Sequence, residues 1–242
     1  EQGRRGLSPT DPGTLKRGSL LPGSVTTWVE NPEGGRARGP VGLARAWAEV
    51  LVRPRRFFEN GVAPGDQAPG LVFAIAVTLV HVVVRGALVP EFFPVYSGRP
   101  VVSALFTVVV AGLLVAPVLL HLVGAIQTVL LRPFVPDRAG VSETVQVVAY
   151  ASAPAVFAAL PVPGIRLVAA LYGATLLVVG LTVVHETTPA RVVAASVVPS
   201  VLLFGYVLGG LPAFETLAGV DLVPDPRAGA GNTGPATGSP DG

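Results

Sequence analysis

The sequence predicts an all-α, polytopic membrane protein with five transmembrane helices and a juxtamembrane amphipathic helix before the first. Residues 101–131 contain no Asp, Glu, Lys or Arg. A helix of that length could reach about 46 Å, whereas the hydrocarbon core of a bilayer is about 30 Å thick. Half of the 242 residues are hydrophobic and only 13% are charged, against about a quarter in soluble domains. Further apolar segments of helix length flank this run.

Five apolar segments are close to or above the roughly 20 residues that a helix needs to cross a bilayer. The third is the weakest, because Tyr150, Ser152 and Pro154 interrupt it. A Pro/Gly turn, residues 161–164, joins it to the fourth, which makes these two segments antiparallel neighbours. The predicted spans are residues 70–89, 101–131, 144–162, 165–184 and 192–211.

Prolines and small residues inside the spans predict how the helices pack. Pro117, Pro154 and Pro199 each remove a backbone donor and crowd the preceding turn, so we expect a kink at each. Alanine nearly fills the third span, and Gly173 and Gly180 lie in the fourth. Helices in lipid associate through close contact at small residues, so we expect these positions to pack helix against helix.

The two ends of the chain are rich in Gly and Pro. Residues 1–40 are predicted to be a disordered N-terminal segment, and residues 212–242 a disordered C-terminal tail, because neither has enough apolar surface to bury. The sequence does not begin with Met, and residues 1–24 follow no pattern. We interpret Val25 as the natural start, which would make residues 1–24 a non-native addition.

Residues 41–61 alternate apolar and basic side chains ahead of the first span. This pattern predicts an amphipathic helix in the cytoplasmic headgroup layer, with aromatic rings inserted in the lipid and arginines near its phosphates. A solvated linker that carries positive-inside charge is the alternative. The candidate lipid-interface residues are Trp47, Arg53, Arg55, Arg56, Phe57 and Phe58.

Arginine placement predicts the orientation in the membrane. Basic residues are concentrated before the first span, in the loop after the second and in the loop before the fifth. Because cytoplasmic loops carry the basic excess, the N-terminus is predicted to be cytoplasmic, and five spans then leave the C-terminus outside. The predicted location is a cell membrane, crossed several times.

Composition argues against several classes of function. The absence of Cys excludes disulfides, thiolate ligands and cysteine nucleophiles. The His residues lack metal-ligand spacing, and no Ser-His-Asp grouping, HExxH motif or Gly-rich phosphate loop is present, so we expect no metal, no cofactor and no enzymatic activity. Basic residues do not cluster between residues 68 and 211, which makes nucleic acid a poor candidate partner. The expected partner is the lipid bilayer, with other membrane proteins or a second copy of the chain as further candidates.

Four polar side chains at membrane depth form a candidate intramembrane polar site. His81 lies near the middle of the first span with Arg85 one turn later on the same face, His121 lies in the second, and Tyr150 lies in the third. Ionisable groups in a bilayer often mark ion pathways, so a proton relay through the histidines is one hypothesis. The alternative is a structural role, in which Arg85 extends to the membrane interface and His81 hydrogen-bonds a neighbouring helix. Most proton relays rely on a carboxylate, and no Asp or Glu lies inside a predicted span, which favours the structural role.

Three motifs follow one another in a specific order. Residues 53–61 read R-P-R-R-F-F-E-N-G, residues 149–155 read A-Y-A-S-A-P-A, and residues 171–181 read L-Y-G-A-T-L-L-V-V-G-L, with His185 beyond them. They resemble the N/R-P-R-x-F-F, Y-x-S-x-P and Y-x-x-x-L-x-x-x-G-L…H motifs of the prokaryotic YIP family, the Ypt/Rab-interacting membrane proteins. Residues 62–70 resemble haloarchaeal members in particular.

This resemblance covers about residues 25–211 and implies a five-helix integral membrane protein with a cytoplasmic N-terminus. Eukaryotic members of the family are implicated in vesicle traffic and bind small GTPases through N-terminal regions, but a shared fold does not establish a shared function. Two functions follow as hypotheses. One is a membrane-organising or adaptor protein without catalytic activity, and the other is a small transporter or channel that uses the intramembrane His and Arg.

Overall fold

The computed structural model describes residues 39–222, in which helices joined by loops are the only regular secondary structure. The predictions for residues 1–38, including the start at Val25, and for residues 223–242 lie outside the described residues. The α-helices are α1 (Gly39–Val52), α2 (Pro54–Gly61), α3 (Ala68–Leu88), α4 (Pro100–Leu131), α5 (Val141–Ala151), α6 (Ala155–Ala158), α7 (Pro163–Val184), α8 (Pro189–Val207) and α9 (Gly210–Ala218). A single 3₁₀ turn, Pro90–Phe92, follows α3.

Four of these helices are long and apolar enough to cross a membrane. They are α3, α4, α7 and α8, with 21, 32, 22 and 19 residues, and none contains Asp or Glu. They coincide with the first, second, fourth and fifth predicted spans. The described part of the chain is therefore all-helical, with several candidate membrane spans.

The third predicted span, residues 144–162, is not one continuous helix. The hydroxyl of Ser152 donates to the carbonyl of Ala149 at 2.6 Å, and the N–H of Ala153 bonds to Tyr150, three residues back. Pro154 then offers no N–H to continue the helix. As a result α5 ends at Ala151, α6 has only four residues, and a fifth membrane-crossing helix is not confirmed.

The broken α5–α6 segment nevertheless runs beside the whole length of α3. At one end Gln146 exchanges hydrogen bonds with the backbone of Ala63, just before α3, at 3.0 and 2.7 Å. At the other end His81 and Arg85 of α3 reach the carbonyls of Ala155 and Ala159. The chain then returns in α7, antiparallel to α5. Residues 144–151 of α5 are all buried, because neighbouring helices surround this segment.

Small residues bring these helices into close contact, as the sequence indicates. A Cβ atom on Gly180 of α7 would lie 2.6 Å from a methyl carbon of Val147, and one on Gly173 would overlap the ring of Phe204. Six alanines of the third segment are at most 3% exposed, which confirms their packing role. They are Ala149, Ala151, Ala153, Ala155, Ala158 and Ala159.

Two of the three prolines that were expected to kink a helix lie next to π-helical segments. Ala111–Val115 in α4 precedes Pro117, and the N–H of Ala116 bonds to Ala111, five residues back. Val201–Val207 in α8 directly follows Pro199 and Ser200. The third proline, Pro154, lies at the break between α5 and α6.

The start of the predicted C-terminal tail is ordered, which corrects part of the expectation for residues 212–242. Gly209 and Gly219, with φ of 72° and 66°, bound helix α9. Positive φ favours glycine, which lacks a Cβ. Gly210 and Ala213 of α9 are buried, and a Cβ on Gly210 would lie 2.7 Å from the Cβ of Ala170 in α7. A two-residue link and the close contact with α7 therefore fold this segment onto the bundle.

Candidate functional site

His81 lies half-buried on α3, facing the break between α5 and α6. Its ring Nδ1 is 2.7 Å from the carbonyl oxygen of Ala155. Because a carbonyl oxygen only accepts hydrogen bonds, Nδ1 carries the proton. In neutral His81 the other nitrogen, Nε2, is therefore the basic atom. This hydrogen bond to a neighbouring helix is the structural role that the sequence leaves open as an alternative.

Two arginines lie within electrostatic range of His81. Arg85, one turn later on α3, directs Nη1 towards the carbonyl of Ala159 at 3.5 Å. Arg166, in the first turn of α7, interacts electrostatically with both His81 and Arg85. Its guanidinium fills the space beside Gly209, and its Nε atom is buried without a hydrogen-bond partner in the described part of the chain. The three side chains form what we name the cationic cluster: His81, Arg85 and Arg166.

The cationic cluster carries no compensating carboxylate among residues 39–222. Glu91, the next acidic residue after Arg85 in the sequence, forms no ion pair with it, and Arg166 also lacks one within this range. Arg166 is the second residue of the fourth predicted span, 165–184, but it is not among the four residues of the predicted polar site. The available signal was its position inside the first turn of a membrane-length apolar helix, where a charge is costly.

An apolar cavity of about 230 Å³ adjoins His81. It lies between α3, α4, the α5–α6 break and α8, and its polar side chains are those of Thr78, His81 and Ser152. Leu208 also lines it, and the next residue, Gly209, contacts Arg166. The cavity and the cationic cluster are therefore continuous, with His81 as a member of both.

The other two residues of the predicted polar site lie elsewhere. His121 of α4 is exposed, and its ring nitrogens lie 2.7 Å from the carbonyl of Pro117 and 3.1 Å from Oε1 of Gln67. Gln67 precedes α3, so His121 is about 21 Å from His81 along the helix axis. Tyr150 is fully buried, with its ring against Phe57 and Phe73 at centroid distances of 4.8 and 5.1 Å. Of the four predicted residues, the structure thus brings only His81 and Arg85 together.

A second polar group lies at the opposite end of the bundle, just beyond the end of α7. His185 is buried, and its Nε2 is 3.2 Å from the hydroxyl of Thr144. Burial lowers the pKa of His185 to about 4, with Glu143 acting in the opposite direction and Arg138 in the same direction. The same end holds the contact between the Glu143 carboxylate and the backbone N–H of Gly65 at 3.2 Å. Residues 39–222 contain no group of three or more His, Cys, Asp or Glu that could hold a metal ion.

The predicted lipid-interface residues divide into a buried set and an exposed set. Phe57 and Phe58 are 1% and 2% exposed and pack inside the protein, so their predicted insertion into lipid is wrong. Trp47 is half-buried and donates from Nε1 to the carbonyl of Ala153 at 2.9 Å. Arg53 and Arg55 are exposed, and Arg55 pairs with Glu59 at 3.0 Å. Arg56 is half-buried.

We name α1 and α2, residues 39–61, the N-terminal arm. It lies against the sides of α3, α6 and α7, because Trp47 contacts the ring of Phe157 in α6 and the hydroxyl of Tyr172 in α7 donates to the carbonyl of Leu51. Leu43 and Trp47 share an apolar groove with Val77 and Val80 of α3. The arm is thus packed onto the bundle, and an amphipathic helix in the headgroup layer is not confirmed.

The family model described as the Yip1 domain matches residues 48–211. The chain belongs to the Yip1 domain family. The Yip1 domain begins within α1 and ends within α9, so it includes most of the arm, the cationic cluster and the cavity. This confirms the YIP resemblance, whereas the haloarchaeal likeness stays a prediction. No curated protein and no solved structure matches the chain significantly.

Proposed function

We propose that this Yip1 domain protein is a non-catalytic, multi-pass membrane protein that acts as a membrane organiser or adaptor. The proposal rests on one observation, which is that the N-terminal arm packs firmly against the bundle. Phe57 and Phe58 anchor one face of the arm in the bundle. The junction of α1 and α2 stays exposed, at Val52, which is 75% exposed, and at Arg53. A rigidly held surface with apolar and basic side chains suits contact with a partner protein or with anionic headgroups.

The transporter alternative has less support. A relay needs groups that can pass a proton or ion from one to the next, but His121 of α4 lies beside Gln67, before the start of α3, and His81 lies about 21 Å further along α3. Tyr150 is enclosed by aromatic rings, and the candidate spans carry no carboxylate. The polar residues therefore do not line a common path through the described bundle.

We also propose five crossings of a cell membrane, with the N-terminus cytoplasmic and the C-terminus outside. The support is that α5–α6 accompanies α3 from Ala63 to Arg85 and would therefore cross with it, although its helix is broken. Because the chain has no Cys, single cysteines at Ser97, Asp137 and Asp221 can be labelled with an impermeant maleimide. Five crossings predict outside labelling at Ser97 and Asp221 only. Labelling of Asp221 on the same side as Asp137 would overturn this topology.

Photo-crosslinking from the arm tests the adaptor role. A photoreactive amino acid replaces Val52 in the full chain in native membranes, and the matched control replaces Leu105, which is 62% exposed on α4. We expect a discrete protein adduct from position 52 and only lipid adducts from position 105. Arg53→Glu should weaken the adduct, whereas Arg132→Glu, at an exposed site after α4, should not. Equal, lipid-only adducts from both positions would contradict the adaptor role.

A further inference from the structure

The irregular backbone of the bundle converges on one place. Ala111 and Val115 belong to the π-helical segment of α4, Leu203 and Val207 belong to that of α8, and Ser152 lies at the break between α5 and α6. All five residues line the 230 Å³ cavity. Segments of π-helix are rare and frequently lie at functional sites. Because two π-helical segments and one helix break surround the same cavity, we interpret the cavity as a specific feature of the fold.

The lining of the cavity includes side chains that are exposed at the surface of the bundle. Val115 and Val207 on its lining are 41% and 48% exposed, and Phe92, after α3, is 38% exposed. Its volume is below the roughly 300–1,000 Å³ of sites for whole drug-sized ligands. An apolar cavity of this size with a lipid-facing side suits part of one acyl chain.

The cationic cluster places two positively charged side chains at the end of the same apolar cavity. Arg85 and Arg166 repel each other, and neither pairs with a carboxylate in the described range. The Nε atom of Arg166 is a buried donor without an acceptor there. Buried or membrane-embedded charges are costly unless they are paired. Guanidinium groups match the oxygens of a phosphate through several charge-assisted hydrogen bonds.

We propose that this site binds an anionic phospholipid, with part of one acyl chain in the cavity and the phosphate at Arg85 and Arg166. His81 belongs to both parts, because it lines the cavity and is a member of the cationic cluster. The site is independent of the arm's exposed face, so it stands or falls separately from the adaptor role.

Lipid binding to the purified full chain in mild detergent tests the proposal. The probes are fluorescent phosphatidylglycerol, phosphatidylcholine with the same chains, and inorganic phosphate as a competitor. We expect phosphatidylglycerol to bind at least about tenfold more tightly than phosphatidylcholine. Both lipids carry a phosphate, but the choline cation cancels the net charge of phosphatidylcholine and is repelled by the two guanidinium groups. Inorganic phosphate should not displace it, because the phosphate ion lacks the chain. Equal binding of the two lipids, or displacement by phosphate alone at matched concentration, would overturn the proposal.

Substitutions separate the two halves of the site. Arg85→Gln and Arg166→Gln should each weaken phosphatidylglycerol binding about tenfold or more through lost charged hydrogen bonds. Arg191→Gln, at an exposed position in the first turn of α8, is the matched control and should change nothing. Ala111→Leu fills the cavity without altering charge and should weaken binding of both lipids, whereas Ala125→Leu, exposed on α4, should not. Unchanged binding in folded Arg85→Gln and Ala111→Leu proteins would contradict the site.

Discussion

The side-chain amide of Gln127 in α4 donates a hydrogen bond to the carbonyl of Ala195 in α8 at 3.3 Å. Ala195 lies four residues before Pro199, so its carbonyl is the one that the missing proline N–H leaves free. Gln127 and Ala195 are 0% and 1% exposed, so water does not provide a substitute. A side chain from a neighbouring helix thereby satisfies the backbone group that proline frees, as membrane bundles require.

Gln127→Leu and Pro199→Ala should therefore show coupled effects on stability. In the Pro199→Ala background the new N–H can bond to Ala195, so the loss of Gln127 should matter less. We expect a coupling free energy of about 1 kcal/mol, the size of one buried hydrogen bond. Thermal or chemical unfolding of the four proteins in detergent measures it. The control cycle combines Gln127→Leu with Pro117→Ala and should give additive effects. Additive effects in both cycles would disprove the pairing of Gln127 with the carbonyl of Ala195.

Phe57 should be among the most important anchors of the N-terminal arm. Its ring packs edge-on against Tyr150 at 4.8 Å and is 1% exposed. Phe57→Ala should lower the free energy of unfolding by about 3–5 kcal/mol, as loss of a buried aromatic ring does. Val52→Ala, at a position 75% exposed on the same arm, should change it by less than about 0.5 kcal/mol. An equal effect of the two substitutions on unfolding would show that the arm is not docked.

The sequence predicts four candidate spans correctly, because α3, α4, α7 and α8 are long apolar runs without acidic residues. It fails for Phe57 and Phe58 for a physical reason. Hydropathy reports that an aromatic ring avoids water, but burial in lipid and burial against protein remove it from water equally. The buried position of these rings depends on contacts with α5 and α7 that lie far away in the sequence.

The candidate site was predictable only in part. His81 and Arg85 are one turn apart on one helix, so helical periodicity brings them together. Arg166 joins them only because α7 packs antiparallel to α5–α6, which is a tertiary contact. Helix α9 escaped prediction because its two-residue link to α8 depends on the left-handed conformation of Gly209.

Gly180 should tolerate no larger residue, because a Cβ there would lie 2.6 Å from Val147 and 2.8 Å from the ring of Phe58. Gly180→Ala should destabilise the protein by about 1–3 kcal/mol through overpacking. Gly164→Ala, in the same helix, is the matched control, because a Cβ there meets nothing within 4 Å. Unfolding midpoints in detergent compare the two. A Gly180→Ala protein as stable as Gly164→Ala would show that α5 and α7 pack less closely than described.

Stability should fall as the pH drops from about 6.5 towards 4, with His185 contributing. The hydroxyl of Thr144 donates to Gly140, so Nε2 of His185 donates to that hydroxyl and Nδ1 is the atom that takes up a proton. Nδ1 is buried without a partner in the described range, and burial lowers the pKa to about 4. The unfolded chain, with a pKa of about 6.5, binds the proton first, so stability rises with pH in this window. His185→Gln should flatten the pH dependence of the unfolding midpoint between pH 4 and 6.5, and an unchanged pH dependence would contradict this role of His185.

Arg166 and Gly209 should behave as a coupled pair. Gly209 has a φ of 72°, which costs other residues about 1–2 kcal/mol, and the guanidinium of Arg166 also occupies the place of its Cβ. Gly219 has a similar φ of 66°, but a Cβ there meets nothing within 4 Å. Gly209→Ala should therefore destabilise the protein more than Gly219→Ala. Arg166→Ala should remove the difference, because it clears the steric conflict and leaves only the backbone cost. Unfolding of the single and double variants measures the coupling, and a difference that persists without the Arg166 side chain would place the conflict elsewhere.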